Sequence, residues 1–172
     1  MLIFAQFFLD LGFISINLKE YLMSQSLGHS NMHIVFSTKK RSLWITTDIE
    51  ADLHAYICGI CRSLKSPVHV INGTFDHIHI LLEQHRTIGL SELVGKIKAN
   101  SSRWAKKHVH GDQRFSWQRG YGYFGVCRQQ FEQVRQYILK QKEHHKGIGY
   151  QDEMRLAYSK AQIAFDERYV WD

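Results

Sequence analysis

Residues 76–82 read Asp-His-Ile-His-Ile-Leu-Leu, and this short alternating segment limits what the chain can fold into. Alternate side chains of a strand point to the same face. The apolar residues of the segment can therefore fill a core on one side. His77 and His79 share the other face, roughly 6 to 7 Å apart along the strand. The segment predicts a sheet with one packed face and one face that is available for chemistry.

Two imidazoles on one face can hold a single metal ion, but a lone pair of this kind is weak evidence, since two half-buried histidines that bind nothing give the same pattern. The spacing of His77 and His79 alone does not decide between these interpretations. A second pair, Tyr137 and Gln141, is separated by four residues, which places a phenol and an amide one helical turn apart. An amide oxygen is a suitable third ligand for a hard divalent ion. A packed tyrosine beside a solvated glutamine remains the alternative.

The other periodic segments surround the histidine strand with further strands and helices. Strands are predicted at residues 33–38, 67–71, 77–82 and 121–126. Helices are predicted at residues 47–64, 90–104 and 129–146. This order predicts an α+β fold of the ferredoxin-like or RRM-like type. It is a split β-α-β antiparallel sheet with two helices on one face, a free opposite face and a C-terminal helix that bears Tyr137. Residues 163–172 are expected to pack as an edge.

Composition and charge narrow the class of partner. The chain has 172 residues, 44% of them hydrophobic, which suits one folded domain. Its net charge of +6 favours a polyanionic partner, above all nucleic acid. Cys58, Cys61 and Cys127 are odd in number and lack the further ligands of a zinc site, so we expect buried thiols in a reducing cytoplasm.

Residues 1–22 form an apolar segment that differs from the rest of the chain. The segment lacks the positive start of a secretory signal, and it is too short and interrupted for a membrane span. Met23 opens a stretch typical of an ordinary protein start. We therefore expect residues 1–22 to be an extension from a misassigned start codon, and residues 23–172 to be a single domain.

Taken together, the motifs resemble the single-tyrosine HUH transposases of the insertion sequence 200/605 family. The resemblance covers about residues 23–172, and its pieces occur in order and at family-like distances. The motifs that carry it are His33-Ile-Val-Phe-Ser-Thr-Lys39, Asp76-His-Ile-His-Ile-Leu-Leu82, Trp117-Gln-Arg-Gly-Tyr-Gly122, Tyr137-Ile-Leu-Lys-Gln-Lys-Glu-His-His145 and Phe165-Asp-Glu-Arg-Tyr-Val-Trp171.

The resemblance implies a metal-assisted reaction on single-stranded DNA. His77, His79 and Gln141 would bind Mg²⁺ or Mn²⁺. Tyr137 would attack the scissile phosphate, forming a covalent 5′-phosphotyrosine and a free 3′-OH. Members of the family recognise hairpins near the ends of their element and work as homodimers, in which the tyrosine helix often completes the partner's site. His144 and His145, beside the tyrosine, could tune the metal or serve as a polar helix end.

Basic side chains in two segments are candidates for contacts with the DNA backbone, and each could equally be a solvated charge. They are Lys39, Lys40, Arg41, Lys96, Lys98, Arg103, Lys106 and Lys107.

Three other functions compete with the transposase. A domesticated relative would bind single-stranded DNA hairpins without moving them. An RNA-binding module of the same topology would need exposed aromatic residues on its central strands. The positions here carry His77 and His79, which favours metal chemistry. A two-histidine phosphoesterase would need two His-x-Ser/Thr motifs, and the chain does not carry two.

Overall fold

The structure, a computed structural model, describes residues 27–109 and 114–171. The extension predicted at residues 1–22, and the start expected at Met23, lie outside these residues. Within the described residues, no helix combines the length and the apolar character that a membrane crossing requires.

Four strands form one antiparallel sheet with the order β2-β3-β1-β4. The strands are β1 (Asn31–Ser37), β2 (Val68–Gly73), β3 (His77–Glu83) and β4 (Gly122–Gly125). This order places β3 and β1 in the middle, where each is hydrogen-bonded on both sides. The predicted α+β split β-α-β fold is confirmed.

Five α-helices and one short 3-10 turn complete the described fold. The 3-10 turn is Lys39–Arg41, and the helices are α1 (Thr47–Ser63), α2 (Leu90–His108), α3 (Phe131–Leu139), α4 (Gln141–His144) and α5 (Tyr150–Lys160). Cys58 and Cys61 lie in α1, and together with Cys127 they are free thiols.

The main core lies between the sheet and the helices α1 and α2. Ile78, Ile80 and Leu82 of β3 are fully buried there, as the alternation along this strand predicts. Burying side chains of this size contributes on the order of 1.5–3 kcal/mol each. The same packing fixes the direction of the histidines, because their side chains leave the strand on the opposite face.

The opposite face is not free, and that part of the prediction is wrong. One cluster joins Val35 of β1 to Tyr150, Met154 and Tyr158 of α5. Another joins the sheet to α3 through its buried residues Val70, Leu81, Val126 and Ile138. The physical reason is that this face also carries apolar residues, among them Val35 and Leu81, and the helices remove these side chains from water.

The prediction of a single helix at residues 129–146 is also wrong, because the helix is interrupted at Lys140, which separates α3 from α4. Asn72 of β2 holds the end of α3, since its Nδ2 donates to the carbonyls of Ile138 and Leu139 at 3.0 and 2.9 Å.

The prediction that residues 163–172 pack as an edge of the sheet is wrong as well. The described part of that segment forms turns, and Val170 packs against the α5 cluster.

The hairpin between β2 and β3 yields a stability prediction at Gly73. A Cβ at this position would lie 2.1 Å from the carbonyl oxygen of His77, which is backbone and cannot move aside. We expect Gly73→Ala to lower the free energy of unfolding by about 1–3 kcal/mol, as overpacking does. Urea denaturation measures this change.

The matched control is Gly95→Ala, in the interior of α2, where a Cβ meets nothing within 4 Å. Alanine favours a helix interior over glycine by about 0.5–1 kcal/mol, so this variant is expected to gain stability. A Gly73→Ala variant as stable as the wild type would contradict the close approach of the two strands.

Candidate active site

His77 and His79 lie side by side on β3, on the face that α3 and α5 cover. Each is only 1% exposed, and their ring centroids are 5.2 Å apart. Nδ1 of His77 is 2.7 Å from Oδ1 of Asp76 and 2.9 Å from Oγ1 of Thr74. Because a carboxylate can only accept, this nitrogen carries the proton. The other nitrogen, Nε2, is thereby left with a free lone pair.

His79 is oriented in a similar way by a third histidine. Its Nδ1 lies 3.0 Å from Nε2 of His33, on the neighbouring strand β1, and the two rings stack. Burial lowers the pKa of both imidazoles well below the usual value, and neighbouring histidines lower them further. Both rings are therefore neutral at pH 7, which is the form in which an imidazole binds a metal.

A carboxylate from α5 faces the two histidines. Oε2 of Glu153 is 3.6 Å from Nε2 of His79, 4.0 Å from Nε2 of His77 and 2.9 Å from Nε2 of His145. One ligand atom from each of these four residues lies within 4.8 Å of all the others. Histidine nitrogens and a carboxylate oxygen converging at this distance could hold a metal ion.

The electrostatics of this group follow from its burial. Glu153 is 4% exposed, and burial raises its pKa to about 7, against the opposing effect of His77. Burial also lowers the pKa of His145 to about 4, with His77 as the next cause. Bringing these groups out of water thus favours a neutral set of side chains unless a cation is present.

Tyr137 and Gln141 meet at the other oxygen of the same carboxylate. The hydroxyl of Tyr137 donates to Oε1 of Glu153, and Nε2 of Gln141 donates to the same oxygen at 3.0 Å. The four-residue spacing therefore brings phenol and amide together, even though the helix breaks between them. Gln141 is fully buried, whereas Tyr137 is partly exposed.

His77, His79 and Gln141, which are expected to hold a metal, share one property: each has a buried polar atom without a hydrogen-bond partner. Among the described residues, five buried side-chain nitrogen or oxygen atoms have no hydrogen-bond partner. Three of these atoms belong to the expected ligand set: Nε2 of His77, Nε2 of His79 and Oε1 of Gln141. Buried polar atoms are normally satisfied, so atoms left with free lone pairs in one place are suited to a cation.

A cavity of about 450 Å³ opens beside this group, between α3 and α5. His79, Tyr137 and Glu153 lie along it, and its apolar lining includes Val35 and Phe124. Cavities of this size accept ligands on the scale of a nucleotide. The tyrosine hydroxyl is therefore next to a space that a substrate can enter.

The expected DNA contacts lie on two sides of the molecule. Lys39, Lys40 and Arg41 form the exposed 3-10 turn after β1, near the histidine end of β3, where the amide of Thr38 donates to the carbonyl of Asp76 at 2.7 Å. Hydrogen bonds from His77 and Thr74, with the charge of Arg41, lower the pKa of Asp76 although burial alone would raise it. The turn thus places positive charge beside the site.

The remaining cations lie on α2, which covers the face opposite to the histidines. Lys96 pairs with Glu92 at 2.6 Å, and Arg103, Lys106 and Lys107 lie on the same helix.

Lys98 is occupied within the protein. Its ammonium group donates to the carbonyls of Gln118, Arg119 and Gly120 at 3.1, 3.3 and 2.5 Å, and burial lowers its pKa to about 8. These contacts hold the 118–120 loop in place, and DNA binding by Lys98 stays a prediction.

Three residues of the site are given no role by the sequence analysis. Asp76 and His33 lie within the motifs that carry the resemblance, but no role is assigned to them there. His145 is expected to tune the metal, to contact phosphate or to serve as a polar helix end. Glu153 has no role in the sequence analysis, although it lies three residues after the buried Tyr150, on the same side of α5. A glutamate on an apolar helix face is the signal that could have found it.

The fold and the site together define a class of protein: a split β-α-β domain with a histidine–carboxylate group beside a tyrosine. The model of a family described as IS200-like transposases matches residues 26–141, which is more than half of the chain. The chain therefore belongs to the IS200-like transposase family.

Two solved structures resemble this one in fold. A protein from Deinococcus radiodurans R1, described as a candidate transposase, is 19% identical with a TM-score of 0.53, and the match covers 69% of this chain and 98% of that one. A REP-associated tyrosine transposase bound to a REP hairpin is 14% identical with a TM-score of 0.54, covering 73% and 76%. No curated protein matches the chain.

The raised pKa of Glu153 yields a pH prediction for the metal-free protein. Between the ordinary pKa of a glutamate and about 7, the folded chain holds a proton that the unfolded chain has lost. The contribution of Glu153 to stability therefore falls as the pH rises through this window. We expect Glu153→Gln to gain up to about 3 kcal/mol relative to wild type between pH 4.5 and pH 7.5.

Denaturant midpoints measured in the presence of a chelator test this expectation. Glu143→Gln, which removes an exposed carboxylate nearby, controls for the loss of one charge. A constant difference between Glu153→Gln and wild type at every pH would show that the carboxyl group is not held in an unfavourable environment.

Proposed function

We propose that this protein is a DNA transposase that cleaves and rejoins single-stranded DNA at element ends through a covalent 5′-phosphotyrosine. The observation that carries the proposal is the contact of Tyr137 with Glu153, inside a group where His77, His79 and Gln141 present buried atoms without partners. A nucleophile, a set of metal donors and a substrate-sized cavity occur together at one place.

In this reaction the Tyr137 oxygen forms a bond to phosphorus, and the bond from phosphorus to the 3′ oxygen breaks. The departing oxygen takes up a proton from solvent and becomes a free 3′-OH. The phenol must lose its proton to attack, and its unperturbed pKa is near 10. The acceptor that its hydroxyl already contacts is Glu153. The phosphodiester energy is retained in the tyrosine link, so rejoining needs no ATP.

The residues that would hold the ion are His77, His79 and Gln141, and Mg²⁺ or Mn²⁺ is the proposed cofactor. When bound, such an ion polarises the scissile phosphate and offsets the charge that develops on it. Asp76 and His33 contact Nδ1 of the two histidines, so Nε2 of each ring would be available to bind the ion.

Single-stranded DNA with hairpin ends is the proposed substrate. The basic composition supports a polyanionic ligand, and the structural neighbour solved with a REP hairpin supports a hairpin in particular. We propose that Lys39, Lys40 and Arg41 contact the backbone near the site. Lys96, Arg103, Lys106 and Lys107 would contact only DNA that passes round to the far face of the sheet.

A homodimer is also part of the proposal. In this chain Tyr137 contacts Glu153 of the same chain, so each protomer would carry a complete site. The dimer would then serve to bring two DNA ends together.

The second candidate is a domesticated relative that binds hairpins without transposition, and the likeness to a hairpin-bound neighbour is compatible with it. The grouping of nucleophile and metal donors favours cleavage. An RNA-binding module is disfavoured, because helices α3 and α5 cover the face that would have to present aromatic residues.

The proposal predicts the behaviour of Tyr137→Phe with single-stranded DNA from the two flanks of the gene. With Mn²⁺, the wild-type protein is expected to form a protein–DNA adduct that survives denaturing electrophoresis. Tyr137→Phe keeps the ring but lacks the attacking oxygen, so it should form no adduct and bind the hairpins with unchanged affinity.

The control is Tyr123→Phe, since Tyr123 is an exposed tyrosine of β4. This variant should form the adduct as the wild type does. An adduct that persists in Tyr137→Phe would overturn the assignment of the nucleophile. Hairpin binding without any adduct in the wild type would favour the domesticated relative.

A further prediction concerns Asp76→Asn, which weakens the hold on Nδ1 of His77 without removing a ligand. Partners of this kind typically change metal affinity by about 10–100-fold. We expect Mn²⁺ affinity to fall by a factor in this range, measured by calorimetry. His77→Ala removes the ligand itself and should lose more; equal affinities in Asp76→Asn and wild type would mean that Asp76 does not orient the ring.

A further inference from the structure

We propose that Glu153 is itself a ligand of the metal ion, so that the centre joins two histidines and one carboxylate and selects Mn²⁺ over Mg²⁺. This inference rests on the proposed function for the presence of an ion, and it adds a residue on α5. Residues 26–141 match the family model, whereas Glu153 lies beyond them. The family match therefore implies nothing about this residue.

Distances within the group support ligation in preference to hydrogen bonding. Oε2 of Glu153 is 3.6 Å from Nε2 of His79 and 4.0 Å from Nε2 of His77, and both separations exceed a hydrogen bond. Atoms that each lie about 2.1 Å from one ion are separated by about 3 to 4 Å. The separations of Oε2 from the two histidine nitrogens are therefore ones that a shared ion would produce.

Burial and charge point in the same direction. Glu153 is 4% exposed, and its ion-pair partners among the described residues are histidines. Among the described residues, no lysine or arginine forms an ion pair with this carboxylate. A buried carboxylate without a cation is costly. A divalent ion between Glu153 and the histidines would supply the missing charge.

The contacts on the other side of the carboxylate hold it in place for this role. Oε1 accepts from Tyr137 and Gln141, which leaves Oε2 directed towards the histidines. His145 also contacts Oε2, at 2.9 Å. Gln141 thus has two functions: its amide nitrogen orients Glu153, and its unpartnered Oε1 remains available to the ion.

The donor set decides the choice of metal. Mg²⁺ prefers oxygen ligands and gives up its water reluctantly, so two imidazoles suit it poorly. Nitrogen donors favour the transition metals, and two histidines with one carboxylate are a known set for such ions. Carboxylate and amide oxygens keep Mn²⁺ acceptable. Of the two ions considered, Mn²⁺ is therefore the better match.

The test is calorimetric titration of the full-length, metal-free protein with Mn²⁺ and, separately, with Mg²⁺, in the absence of DNA. The wild type should bind Mn²⁺ at least about 10-fold more tightly than Mg²⁺. Glu153→Gln keeps the size of the side chain and should bind Mn²⁺ about 10–100-fold more weakly than the wild type. Glu143→Gln, an exposed carboxylate nearby, should bind as the wild type does.

Glu153→His distinguishes a ligand from a structural residue. A third imidazole in place of the carboxylate should weaken Mn²⁺ binding and strengthen Zn²⁺ binding, because imidazole suits Zn²⁺. A merely structural role would weaken both. This ratio of affinities also decides the question if Glu153→Gln fails to fold.

Four results would overturn the inference: no Mn²⁺ binding by the wild type, equal binding of Mn²⁺ and Mg²⁺, a folded Glu153→Gln within twofold of the wild type, or an unchanged Zn²⁺ to Mn²⁺ ratio in Glu153→His. None of these measurements uses DNA. The tyrosine adduct experiment can therefore fail while the metal centre stands, and the metal centre can fail while the adduct forms.

Discussion

The burial of both faces of β3 is the constraint on which the rest of the structure depends. This strand is hydrogen-bonded to β1 on one side and to β2 on the other, and both of its faces are covered. Its isoleucines fix the register against the core, since a shift of one residue would exchange the two faces. Val35 therefore lies opposite His79, and Ser37 opposite His77. The position of the histidines is set by apolar packing on the far side of the sheet.

A single carboxylate then connects this strand to the C-terminal helices. Glu153 of α5 contacts Tyr137 of α3, Gln141 of α4 and the histidines of β3 through its two oxygens. The helices α3 and α5 also pack on the sheet through two apolar clusters, and with α4 they meet at this one buried carboxylate. Networks of this kind contribute most when every member is satisfied. The part of this network that lacks hydrogen-bond partners consists of Nε2 of His77, Nε2 of His79 and Oε1 of Gln141.

Much of the fold could be predicted from the local periodicity of apolar residues. The site could be predicted only where its residues are regularly spaced along one strand or helix. The alternation in β3 and the spacing between Tyr137 and Gln141 are local patterns, so both were accessible. The break at Lys140 carries no proline or glycine, and it depends on Asn72 capping α3 from another part of the chain. Glu153 belongs to the site because of how α5 packs on the sheet. That packing is a tertiary property that spacing does not reveal.

The contact between Tyr137 and Glu153 of the same chain also bears on molecularity. In the proposed reaction, a tyrosine and histidines of one polypeptide would make cutting a first-order event in each bound molecule. The rate per bound molecule would then be independent of how many copies the cell contains. Joining would still require two ends to meet, so the dependence on copy number would move from the cutting step to the pairing of ends. Low abundance of the protein would then limit exchange between ends more than breakage of strands.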